Sequence, residues 1–281
     1  MNRHAYVALV TVLITLPAAD AVRSAPANPW TVVSIRECRA EEIPLEETSR
    51  NIWPFPDANN VLGPDSLVAH VRTDEKHHAY IEIEDLRTGK FSPLLKANAC
   101  LPQWSPDGRY IGCVVWKSHR QYSQLTVVDV ATRTVILDPG TSTATMKWSP
   151  DSRTLAAESP VYASPHSILY TVSVPDGKVM VLDTIGIGGE YEFSWSPDGR
   201  WMAFSRPTKL DLDEITIEAD LWIADAKTGT TWPLLETPDW VESNPLWITD
   251  RTIQADRVHW DGTEHGTEQR VVIELSNDEP K

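Results

Sequence analysis

Three stretches of this chain spell nearly the same turn: "QWSPDGRYIGCVVW" from residue 103, "KWSPDSRTLAAES" from 147 and "SWSPDGRWMAFS" from 194. A chain that restates one tight turn, each time followed by an apolar strand, must build the same short unit repeatedly. Ser at the first corner, Pro at the second, Asp at the third and Gly at the last are the preferences of a type I turn. Proline presets its φ, the Asp carboxylate accepts local backbone N–H groups, and Gly takes a left-handed conformation cheaply. Asp107, Asp151 and Asp198 are therefore expected to shape turns rather than to catalyse. Trp104, Trp148 and Trp195, just before the turns, are placed to pack between neighbouring sheets.

Two fainter copies extend the series. "VLGPDSLVAHV" keeps Pro64 and Asp65 with Leu62 in the tryptophan's place, and "LWITDRTIQAD" keeps Trp247 and Asp250. The five aspartates stand 42, 44, 47 and 52 residues apart, a period typical of folds that repeat one supersecondary unit. After each turn comes a strand such as "YIGCVVW", a variable loop, and a second strand such as "QLTVVDV". Four units continue through a tight turn into a third strand, as in "VMVLD". Alternating and β-branched residues bounded by Asp, Gly and Pro are strand signals, and helical periodicity is nearly absent. The fold class is all-β.

"WSPDGR" followed by an apolar strand resembles the repeat of TolB-like, WD-repeat-like bacterial β-propellers, over roughly residues 60 to 276. The resemblance implies a single β-propeller of four-stranded blades. Counting strands leaves the last unit one short, and "TVVSIREC" (31–38) can supply it, closing the ring with an N-terminal strand. That makes five blades. Six is the alternative, because "NIWPFPDANN" could hide another turn. The domain reading is a closing strand and connector over 28–59 and the propeller over 60–281.

Residues 1–27 read as a signal peptide. Arg3 and His4 precede the apolar run "AYVALVTVLITLPAA", and small residues offer cleavage after 21 or 27. The run is short of the roughly 20 apolar residues a spanning helix needs, so stable membrane insertion is not expected. The chain is expected in a periplasm or outside the cell. A formal charge of −15 disfavours nucleic acid and anionic lipid, both of which require a positive field. Protein or peptide partners, probed in the cell envelope first, remain. Of the three cysteines, Cys100 and Cys113 flank the first clear turn and could bridge across neighbouring strands; unpaired buried thiols are the alternative.

Function is sought where the repeat stops repeating, in the variable loops opposite the turns. Six of the eight histidines sit in or beside them: His77, His78, His119, His166, His259 and His265. The fourth unit brings Asp211, Asp213 and Glu214 instead. Imidazoles with carboxylates on one rim suit a divalent metal or acid–base chemistry. No other cofactor is expected, since phosphate loops, nucleophile elbows and zinc-protease motifs are missing. Trp232, Trp240 and Trp260 lie outside the turn motif and could grip a partner. The first reading is an exported, non-catalytic propeller that docks a protein or peptide on this rim. The alternative is a propeller hydrolase or lyase using the His and carboxylate rim; a structural or sensing part of an envelope assembly is a third.

Overall fold

The computed structural model describes residues 27–38, 60–117, 122–138, 145–160, 167–185, 192–210, 216–259 and 267–277. The expected signal peptide and the 39–59 connector lie outside these residues. What is described is nearly all strand, arranged in antiparallel four-stranded units. The first unit is β2 (Asn60–Leu62), β3 (Leu67–Thr73), β4 (Ala79–Asp85) and β5 (Lys90–Leu95). The second is β6 (Ala99–Trp104), β7 (Tyr110–Lys117), β8 (Tyr122–Asp129) and β9 (Thr134–Leu137). The third is β10 (Thr145–Trp148), β11 (Thr154–Pro160), β12 (Ser167–Ser173) and β13 (Val179–Ile185). The fourth is β14 (Glu192–Trp195), β15 (Trp201–Leu210), β16 (Thr216–Asp225) and β17 (Thr231–Leu235). The last holds β18 (Trp240–Thr249), β19 (Thr252–His259) and β20 (Thr267–Asn277), and β1 (Trp30–Glu37) pairs antiparallel with β20. A single parallel bridge, Ala219 to Val241, joins the fourth sheet to the fifth.

Each repeated turn closes as its wording demands. The Gly108 N–H donates to the Ser105 carbonyl at 2.8 Å, with Gly108 at φ +71°. The Ser105 hydroxyl donates to Asp107 Oδ1 at 2.7 Å, and the same oxygen accepts the Arg109 N–H at 3.0 Å. Asp151 and Asp198 repeat both bonds. Where the second copy has Ser152 for glycine, that residue takes φ +62° itself.

Packing follows from period-2 alternation in strands buried on both faces. Along β7, Ile111, Cys113 and Val115 enter a core shared with the first unit's Ala69, Ile81 and Leu94. The intervening Val114 faces the third unit's Met146, Trp148 and Leu155. Along β15, Met202 and Phe204 meet the third unit's Leu169 and Leu182, while Trp201 and Ala203 meet the fifth unit's Trp247 and Ile273. Among the described residues, four apolar clusters each glue one unit to the next.

The turn tryptophans staple these seams. Trp104 Nε1 donates to the Val61 carbonyl, Trp148 Nε1 to Gln103 and Trp195 Nε1 to Lys147, at 3.0–3.1 Å. The acceptor is always the residue before the tryptophan position of the preceding unit. Gly63 makes room for the first, since a Cβ there would run into the Trp104 indole.

The cysteine bridge considered above does not form. None of the three cysteines is in a disulfide. Register sets Cys100 opposite Val114, so Cys113, one residue along, points through the sheet into the other core. Burial pushes the Cys113 thiol up to about 12.

Candidate functional site on the loop-bearing rim

Antiparallel connectivity puts the repeated turns at one end of the sheets and the variable connections at the other. On that second rim, connections 74–78, 96–98 and 236–239 are described; His119, His166, Asp211, Asp213, Glu214, Trp260 and His265 lie outside the described residues.

His77 and His78 are exposed on the β3–β4 connection, with His77 at φ +61°. Asp74 organises this loop. Its Oδ1 accepts the N–H groups of Lys76 and His78 at 2.8 and 2.9 Å, and Oδ2 stands 3.5 Å from His78 Nδ1. The His78 N–H does most to hold the Asp74 carboxyl below its ordinary range, aided by the Lys76 N–H and the His78 ring. Beside the loop opens a cavity of about 580 Å³, with Asp74, His78, Tyr80, Glu82, Lys96 and Asn98 supplying its polar groups. Ala79, Pro93 and Ala97 add apolar wall. Glu82 is held by Arg72 at 2.8 Å, and Asn98 Oδ1 accepts the Ala79 N–H. Such a hollow, apolar with a few fixed polar groups, suits one anchor side chain of a peptide or a small organic molecule.

The histidine inside β3 is structural. His70 is nearly buried, with Nδ1 2.6 Å from Asn60 Oδ1 and Nε2 2.8 Å from Glu84 Oε2, so both ring nitrogens are engaged within the first unit.

A second rim cluster forms where the fourth unit meets the fifth. Trp240 and His259 are directly opposite across β18 and β19, with ring centroids 5.0 Å apart. Arg257 covers the Trp240 face at 4.3 Å and reaches Glu242 Oε1 through Nη2 at 3.0 Å and Nε at 3.2 Å. Glu242 is completely buried, and its Oε2 has no hydrogen-bond partner. Burial raises its pKa from 4.5 to about 7, against the pull of the Thr237 hydroxyl and Arg257 and with added repulsion from Asp220. Asp220 is itself raised, by burial first and then by Glu236 and Glu218. Burial, which disfavours the charged form, is the first cause of both shifts.

Structure thus brings together Trp240 and His259, two residues expected on the rim, and sets His78 against a cavity. Trp232 instead packs in the core beside Trp201. Among the described residues no three His, Cys, Asp or Glu side chains converge in a metal-binding arrangement. Glu242, Asp220, Thr237 and Arg257 were not anticipated. The available signal was a charge at an inward position of "WVESNPLW".

No protein-family model matches the sequence. Solved structures do resemble the fold. The β-propeller domain of the Trilobed protease from Pyrococcus furiosus aligns with a TM-score of 0.52 and 17% identity, over 75% of this chain and 67% of that one. An oligogalacturonate lyase in complex with manganese gives 0.50 and 16%, over 75% of this chain and 62% of the lyase. TolB from Acinetobacter baumannii gives 0.44 and 19%, over 75% of this chain and 52% of TolB. The chain therefore spans less than two thirds of the lyase's length. At these identities the likeness establishes a β-propeller fold and says nothing of activity.

Proposed function

We propose that this chain is an exported five-bladed β-propeller, with β1 completing the fifth blade, that binds a protein or peptide on its loop-bearing rim. The observation carrying the reading is the rim cavity of about 580 Å³ at Asp74, His78 and Tyr80, a size that accepts an anchor residue. The exposed loop around it, and the Trp240–His259 pair on the same rim, supply further contact surface. The "WSPDGR" wording supports grouping the chain with TolB-like propellers, and the basic-then-apolar start supports export to a periplasm or beyond. Among the described residues no helix is long and apolar enough to cross a membrane.

Capture from envelope extract tests the reading. Wild-type protein is expected to retain a defined partner, and Tyr80→Ala or Trp240→Ala to lose it, with Trp260→Ala as a further rim variant. Retention of the same partner by every rim variant, or loss of it on substituting turn-face residues such as Lys227, would count against rim binding. The alternative, a hydrolase or lyase with a divalent metal, draws on His119, His166 and His265, and is tested by metal analysis of the purified protein.

A further inference from the structure

The rim where the fourth and fifth units meet gathers four carboxylates, of which Glu218 has Lys209 opposite it across β15 and β16. Glu218 and Asp220 on β16 and Glu236 just beyond β17 lie close enough that Asp220 feels the other two, and the Ala219–Val241 bridge brings Asp220 beside Glu242 on β18, which feels Asp220 in turn. Thr237 stands between the two inner carboxylates, its N–H serving Asp220 and its hydroxyl reaching towards Glu242. Two guanidiniums are near, and both are committed. Arg206, opposite Asp220 on β15, is drawn to Asp183 of the third unit at 2.8 Å and lies over the Trp222 ring at 4.8 Å. Arg257 spends its nitrogens on Glu242 Oε1 and its face on Trp240. What stays unanswered is Glu242 Oε2, fully buried and without a hydrogen-bond partner, on the strand that the Ala219–Val241 bridge sets beside Asp220.

A buried carboxylate oxygen with no donor is costly, and it marks a position that a donor from outside would satisfy. Within the rim-binding reading the donors on offer are the partner's own side chains, and the cations among them, lysine and arginine, carry several N–H groups each. From this geometry we infer that the carboxylate cluster Glu218–Asp220–Glu236–Glu242 is the receptor for a lysine or arginine side chain of the bound partner. This inference rests on the rim-binding reading and names the partner's chemistry: a segment with a basic residue beside a group that can lie on Trp240 and His259. The net charge of −15 attracts such a segment from a distance. Docking a cation favours the ionised carboxyls, so binding releases protons when it takes place near neutral pH.

The probe is the peptide acetyl-Gly-Arg-Gly-amide, titrated into the whole protein by NMR and calorimetry, with the citrulline peptide as its uncharged counterpart. Millimolar binding of the arginine peptide is expected, with the citrulline peptide at least about tenfold weaker. Asp220→Asn should weaken it about tenfold and the surface change Glu236→Gln about threefold, while Asp250→Asn, exposed on the opposite, turn-bearing face, leaves it unchanged. Calorimetry in buffers of different ionisation enthalpy should report proton release near pH 7, diminished in Glu242→Gln. Glu236→Gln keeps the test sound should a buried substitution fail to fold. Equal binding of the two peptides, or indifference to both Asp220→Asn and Glu236→Gln, overturns the inference. If a captured partner is lost from Tyr80→Ala but unaffected by Asp220→Asn, this inference fails and the rim reading stands. A partner that no rim variant releases takes both down.

Discussion

The seam between the third and second units and the seam between the fifth and fourth differ in how they treat polar atoms. At the first, Trp148 is nearly buried and its indole N–H is answered by the Gln103 carbonyl. At the second, Trp247 occupies the corresponding position, but its Nε1 is buried without a partner, as is that of Trp30 packed edge-on against it. The same seam carries the buried Glu242. Apolar burial holds both seams together; only at the earlier one is the indole N–H of the turn tryptophan answered. A repeat that departs from its own pattern at one junction gives up stability there, and such departures mark the places selected for something besides folding.

The largest expected effect tests the stapled seam. Trp148→Ala should lose about 4 kcal/mol in chemical unfolding, as large-to-small core changes do. Leu62, the residue in the tryptophan position of the first unit, is 70% exposed, so Leu62→Ala should change stability by less than about 0.5 kcal/mol. Similar losses at the two positions would mean that the first unit is stapled as tightly as the others.

Next in size is the charge at the fifth–fourth seam. With its pKa near 7 in the folded protein against an ordinary 4.5, Glu242 holds a proton that the unfolded chain has already given up. Its contribution is present below about pH 4.5 and fades as pH rises through 7, on the order of 3 kcal/mol over the window. Melting followed from pH 4.5 to 8 should show this slope in the wild type and a flatter profile in Glu242→Gln, which becomes the more stable form at pH 8. Parallel profiles would show that Arg257 already compensates the carboxylate.

A finer comparison isolates the indole hydrogen bond. Trp148→Phe and Trp247→Phe remove similar ring volume, but only the first also removes a made hydrogen bond, so it should cost about 1 kcal/mol more. Equal costs would deny the staple a role in stability. The smallest effect concerns the thiols: reductant should leave the melting temperature unchanged, and alkylation at pH 8 should spare Cys113, whose thiol is held up near 12 by burial.

Much of the fold was legible because its information is local. Ser-Pro-Asp-Gly specifies a turn through the φ of proline and the reach of a short carboxylate, and the bonds of Asp107, Asp151 and Asp198 are those the residue types demand. The tryptophans announced inter-sheet packing, and apolar runs such as "YIGCVVW" signalled strands, whose burial on both faces the structure added. The rim was legible only as a region. His78 was a candidate by residue type, and its loop does border a cavity, but neither Asp74's hold on the loop nor the cavity itself is written in one segment. Trp232 shows the converse: outside the motif and aromatic, it reads as a contact residue and proves to be core.

By itself the sequence determined an all-β chain of repeated four-stranded units, the turns that close them and the rim on which variety is concentrated, because each depends on residues a few positions apart. The tertiary structure decided which atoms meet. A one-residue register choice sends Cys113 away from Cys100, and a single bridge between Ala219 and Val241 joins the sheets that carry Asp220 and Glu242. Burial, and with it the protonation of that carboxyl, comes from the stacking of whole sheets, which no local spacing encodes.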